Sequence, residues 1–144
     1  MREIKFRAWH KANKKFEYFT LKELLELSNS GDYQGYDSCY EHYEWCEYTG
    51  LKDKSGKEIY EGDVVRTLEV ETGDPAFVLK LSGMEITTAV EWQGGAFMLR
   101  DKLGNTIGGG NYTLLAELVG IERNPYLAIE IIGNIYENPE LLNK

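Results

Sequence analysis

Cysteine, histidine and proline are scarce in this chain, at two, two and three residues among 144. Two cysteines cannot staple a fold of this length into a disulfide framework, so a reducing cytoplasm is the expected location. Together with two histidines they leave little material for a metal centre or a nucleophilic dyad. No run approaches the roughly 18 apolar residues that a membrane helix needs. Met1-Arg2-Glu3 leads into alternating charge rather than an apolar stretch, so no secretory leader is expected. Gly108-Gly109-Gly110 lacks the Lys-Ser/Thr that lets a glycine-rich loop hold phosphates, and no dinucleotide fingerprint follows a strand. No cofactor is therefore expected.

Glycine and tyrosine are abundant, at fifteen and ten residues, and favour β-strands joined by tight turns. The net charge of −8 is unevenly spread. Residues 1–15 carry six Lys/Arg against one acid, residues 16–63 four against twelve, and residues 64–144 six against eleven. A basic arm on an acidic body argues against general nucleic-acid binding, which needs a positive field. A solvated basic edge strand accounts for the arm equally well.

The chain is organised around residues 48–66. Asp53-Lys54-Ser55-Gly56 has Asp and Gly at the first and last positions of a type I turn. Gly62-Asp63 makes a second turn, in which Gly62 takes φ > 0 and Asp63 bonds a nearby backbone N–H. Gly50 completes this set of turn residues. Upstream, residues 3–9 alternate, with Ile4, Phe6 and Ala8 on one side and Lys5 and Arg7 on the other, as in a half-buried strand. Residues 16–19 pair back on it, and Thr20 and Glu23 form a capping box ahead of a short Leu-rich helix. Residues 29–41 are a polar linker. Downstream, strands are expected near 64–70, 77–81, 86–92, 97–99 and 127–131, with a hairpin turn at Gln93-Gly94-Gly95. Residues 101–111 read as a loop and 112–119 as strand or helical turn. Gly133 marks a bulge or bend, and Asn138-Pro139 starts a helical turn. The expected fold is α+β, mainly β: an N-terminal hairpin-plus-helix unit with a linker over 1–47, then a small SH3-like or OB-like barrel over 48–144.

Three runs carry a family likeness: MREIKFRAW at the start, GLKDKSGKEIYEGD in the middle and GNIYENPELL near the end. Together they resemble the YopX family of phage and prophage proteins over nearly the whole chain. The resemblance implies the SH3-like form of the C-terminal barrel and a phage-derived protein in the cytoplasm of a bacterial host. It implies no particular activity. Such chains often carry Asp where His10 stands.

Cys39, His42 and Cys46 have a spacing that suits zinc, but only Asp37 or Glu44 lies near enough to supply a fourth ligand. A loop cysteine, with His42 and Cys46 on one strand face, is the plainer account, so no metal is expected. Glu58, Glu61 and Asp63 lie close enough for hydrolytic or cation chemistry, yet three acids around a turn also describe a solvated surface with a backbone cap. Tyr33, Tyr36, Tyr40, Tyr43 and Trp45 crowd a polar stretch, where aromatics anchor interfaces, stack on bases or simply roof a core. The expected role is a non-enzymatic interaction module, assembling with copies of itself. The alternatives are nucleic-acid binding through the basic arm and a metal-dependent hydrolase built on the acids near Asp63.

Overall fold

The computed structural model describes residues 3–29, 42–71, 80–100, 112–114 and 129–143. Two antiparallel sheets account for most of them. β1 (Lys5–His10) and β2 (Lys15–Thr20) form a hairpin in which Phe6 faces Phe19 and Trp9 faces Phe16. The chain then enters α1 (Leu21–Asn29) through the expected capping box. The Thr20 N–H donates to Glu23 Oε2 at 2.7 Å, and the Glu23 N–H returns to Thr20 Oγ1 at 3.3 Å. β3 (Tyr43–Lys52) pairs with β1 on one side and β4 (Glu58–Tyr60) on the other, giving the order β2-β1-β3-β4. β3 thus runs without a break through positions 47 and 48, where the N-terminal unit was expected to end.

The second sheet is built from β5 (Asp63–Glu71), β6 (Lys80–Gln93), β7 (Ala96–Arg100), β8 (Tyr112–Leu114) and β9 (Glu130–Asn134). Its order is β8-β7-β6-β5-β9: a meander whose last strand returns beside the first. The described strands form two sheets and no closed barrel. The strands expected near 81 and 86 are one continuous β6 of 14 residues. Gly94 and Gly95 take φ of 60° and 90° in the hairpin between β6 and β7. Opposite β5, the register shifts between Val64↔Gly133 and Val65↔Ile131, which is the bulge anticipated at Gly133. Pro139–Leu142 is a 3-10 turn with Pro at its start, but the Asn138 side chain forms no capping bond. Phe77, Leu79 and Leu127, and residues 30–41, 101–111 and 115–119, lie outside the described residues.

Ile59, Val65, Val90, Phe97, Leu99 and Ile129 make one buried cluster, with Leu51 and Ile131 packed against it. Leu51 and Ile59 come from the first sheet and the others from the second or its approach, so this cluster fastens the sheets together. Each such side chain contributes about 1.5–3 kcal/mol when fully buried. The two-faced reading of β1 needs correction. Arg7, Ala8 and Trp9 are all buried, so both faces of β1 are covered, Arg7 by Phe16 and Tyr60 and Trp9 by Tyr136. Val64 and Val65 are likewise both buried, so both faces of β5 are covered.

Candidate functional site

The three sequence runs meet at one place. Between β4 and β5 the chain turns at Glu61-Gly62, with Gly62 at φ 80°. The Gly62 N–H donates to the Val90 carbonyl at 2.9 Å, and the Gly62 carbonyl accepts from Ile135 N–H at 2.9 Å. This turn delivers Asp63 inward. Its Oδ2 accepts from the Tyr60 N–H at 2.8 Å, and its Oδ1 lies 2.7 Å from Arg7 Nη2. Arg7 Nη2 also donates to the Glu61 carbonyl at 3.1 Å. The guanidinium is sandwiched by aromatic rings, 4.4 Å from the centre of Phe16 and 5.0 Å from that of Tyr60. Arg7 Nε is buried without a hydrogen-bond partner. Burial pushes the Asp63 carboxyl up, while Arg7 and the Tyr60 N–H pull against that rise.

The C-terminal run closes the junction. Tyr136 stacks on Trp9 at 5.8 Å and meets Phe16 edge-on at 5.9 Å. The Cys46 thiol, on β3, donates to the Tyr136 hydroxyl at 3.6 Å. Burial raises the Cys46 thiol above its ordinary value, so little thiolate forms and the sulfur is a poor nucleophile. Asn134 holds the run's own turn, its Oδ1 accepting from the N–H groups of Tyr136 and Glu137 at 3.0 and 2.9 Å. Sequence reasoning missed Arg7, Tyr136 and Asn134. The one local hint for the first was Trp9, an aromatic on Arg7's side of an otherwise alternating strand. No local signal pointed to Tyr136.

Asp53 works in a similar way beside β9. Its Oδ1 accepts from the Ser55 N–H, the Ser55 hydroxyl and the Lys57 N–H at 2.8, 2.7 and 2.9 Å. Its Oδ2 accepts from the Ile131 N–H at 3.2 Å. Burial pushes this carboxyl up, but the four hydrogen bonds outweigh it and hold Asp53 below its ordinary value. The Gly56 N–H closes the expected turn onto the Asp53 carbonyl at 2.9 Å, with Gly56 at φ 86°. Gly50, at φ 84°, lies inside β3 where the register with β4 shifts, so it serves a bulge rather than a turn.

The remaining candidates do not converge on a reaction centre. Glu58 binds Lys5 at 2.6 Å and accepts from the Tyr60 hydroxyl at 2.9 Å, apart from the Asp63 pair. His42 is exposed and stacks on His10, with ring centres 6.5 Å apart, whereas Cys46 turns toward Tyr136. Among the described residues no group of three or more His, Cys, Asp or Glu is placed to hold a metal ion. Cys39, Tyr33, Tyr36 and Tyr40 lie outside the described residues. Tyr43 donates its hydroxyl to Glu17 at 3.2 Å, and half-buried Trp45 packs on Phe19 at 5.4 Å. Four of the six cations of the basic arm pair with acids: Lys5 with Glu58, Arg7 with Asp63, Lys11 with Glu44 and Lys15 with Glu17. No helix among the described residues is long and apolar enough to cross a membrane.

The family described as YopX protein matches residues 5–143, nearly the whole chain. Among solved structures, the chain is similar to protein EF1440 from Enterococcus faecalis, at 20% identity and a TM-score of 0.50. That likeness covers 96% of this chain and 97% of the other, and it speaks to the fold alone. No curated protein matches the chain.

Proposed function

The chain belongs to the YopX family, and from that footing we propose that it is a non-enzymatic interaction module that assembles with copies of itself. One observation carries the reading. Four of the six exposed large apolar side chains among the described residues, Ile4, Tyr18, Leu21 and Leu25, come from the first 25 positions. Ile4 and Leu21 are neighbours, joined by a backbone hydrogen bond of 3.4 Å, and Leu25 follows Leu21 by one helical turn. An apolar cluster of Ile4, Leu21 and Leu25 on a small unit favours a protein partner.

The charged groups support the same reading by their engagement. Glu58 and Asp63 are paired with Lys5 and Arg7 of the arm, which favours a structural use of these charges over a hydrolase or a nucleic-acid groove. The reading includes a phage-derived origin, the cytoplasm of a bacterial host, and an SH3-like barrel as the architecture of residues 48–144. The meander with its last strand beside its first supports that architecture. Sedimentation at micromolar concentration tests the assembly: a species larger than 16.5 kDa is expected, shifted toward the single chain by Leu21→Glu with Leu25→Glu. A wild-type protein that sediments cleanly at 16.5 kDa would refute it.

A further inference from the structure

Sheet edges are the places where another chain can pair, and folded proteins usually cover or shorten them. Three of the four edges here are managed. β4 is three residues long and gives its Tyr60 N–H to Asp63. β9 has its outer side taken up by the Asp53 turn, through Ile131 N–H to Asp53 Oδ2 and Lys54 N–H to the Ile129 carbonyl. β8 is three residues long. β2 differs: it is six residues long, and no strand lies beyond it among the described residues.

The hydrogen-bond phase of the hairpin shows which groups β2 presents outward. Leu21 N–H bonds the Ile4 carbonyl, in register with the β1–β2 ladder, and Lys11 N–H bonds the His42 carbonyl, in register with the β1–β3 ladder. Since bonded and non-bonded pairs alternate in an antiparallel ladder, both bonds give one answer. Even-numbered residues of β1 bond β2, and odd-numbered ones bond β3. Lys15, Glu17 and Phe19 therefore bond inward, while the N–H and C=O groups of Phe16 and Tyr18 face out. The Thr20 N–H also faces out, consistent with its capture by Glu23.

We infer that this β2 edge takes the β2 strand of a second copy, antiparallel, about a two-fold axis at Phe16. This rests on the self-assembly proposed above and names its surface. Only registers that set outward groups against outward groups form a ladder. Centring the axis on Glu17 would set two Glu17 carboxylates directly opposite each other. Centring it on Tyr18 would set Glu17 against Phe19. Centring it on Phe16 sets Glu17 of each copy against Lys15 of the other, and opposite charges facing across a ladder are favourable where like charges are not. Tyr18, 62% exposed, lies beside the new seam.

A charge exchange in the full chain tests this, read by sedimentation over a concentration series. Glu17→Lys alone, or Lys15→Glu alone, places like charges opposite each other twice per dimer. Each should raise the dissociation constant on the order of tenfold or more. The double exchange, Lys15→Glu with Glu17→Lys, restores opposite charges and should bring the constant back close to wild type. Circular dichroism checks that each variant is folded. An assembly indifferent to both single exchanges would overturn the β2 edge while leaving self-assembly standing. A double exchange as weak as the singles would also overturn it. A wild-type protein of 16.5 kDa throughout would remove both.

Discussion

The Nη2 of Arg7 lies 2.7 Å from the Oδ1 of Asp63, with 5% and 2% of the two side chains exposed. This buried pair ties the first sequence run to the second, and the aromatic wall around it includes Tyr136 from the third. Breaking such a pair from one side strands the other charge, at a cost of about 3–5 kcal/mol. Arg7→Met should therefore lower stability by that order in urea denaturation. Asp63→Asn keeps an acceptor for the Tyr60 N–H but leaves Arg7 without its counter-charge; because burial already disfavours the charged carboxyl, it should cost less than Arg7→Met. The double variant should fall short of the summed single losses by more than about 1 kcal/mol, the signature of direct coupling. Strict additivity would mean that the two groups do not interact in solution.

Three glycines should respond differently to an added side chain. At Gly62, φ is 80° and a Cβ would lie 3.3 Å from Tyr136, so strain and crowding act together. Gly62→Val should cost about 1–3 kcal/mol. Gly56 has φ 86° but open space, so Gly56→Ala should cost less than the Gly62 change. Gly133 is limited by space: a Cβ there would come within 2.6 Å of Asn138 and 2.7 Å of Leu141. Gly133→Ala should displace the Pro139–Leu142 turn, visible as shifted amide resonances of those residues. An unchanged denaturant midpoint for Gly62→Val would contradict the clasp described around the turn.

Much of this was legible because it is local. The Thr20–Glu23 box, the Asp53–Gly56 turn, the positive φ at Gly62 and the bulge at Gly133 each depend on residues a few positions apart. What stayed hidden depends on strand order. Arg7 looked like the solvent side of a two-faced strand, and only the rings of Phe16 and Tyr60, brought over it by the fold, make it an inner residue. The merging of two short apolar runs into β6 was also out of reach, because Ser82-Gly83-Met84 carries ordinary turn residues through a continuous strand. Of the aromatic candidates, Tyr43 and Trp45 are open in the sequence between an interface anchor, a stacking platform and a roof over the core. The structure places them on β3, against Glu17 and Phe19, as part of the sheet's own packing.

The buried thiol provides a direct probe of the junction. Cys46 is 1% exposed, and burial raises its pKa, so both access and ionisation oppose reaction. In a Cys39→Ser background, Cys46 should resist an aromatic disulfide reagent in the native protein and react fully once unfolded. Adding Arg7→Met, which loosens the packing against β3, should speed native-state labelling. Fast labelling of the Cys39→Ser protein itself would mean that the Tyr136 contact opens readily.

Asp53 and Asp63 should pull stability in opposite directions as pH changes. Asp53 sits below its ordinary value of 3.8 in the folded chain, although burial alone would raise it, because Ser55, Lys57 and Ile131 donate to its charged form. Its contribution is complete above the unfolded value and is lost as pH falls through the depressed folded value. Asp63, raised by burial above 3.8, contributes the reverse: its share is present at low pH and is lost as pH rises through the elevated value. Replacing Asp53 removes the first of these alone. Asp53→Asn keeps the shape but can only weakly satisfy the three N–H donors, so at about pH 7 it should cost about 1–3 kcal/mol. At about pH 3 the unfolded wild-type chain already gains from protonating Asp53, so the two proteins should lie closer together. The check is the urea midpoint of both proteins at the two pH values: a gap that narrows on acidification is expected, and a constant or widening gap would mean that the Asp53 carboxylate is not held in its charged form by the fold.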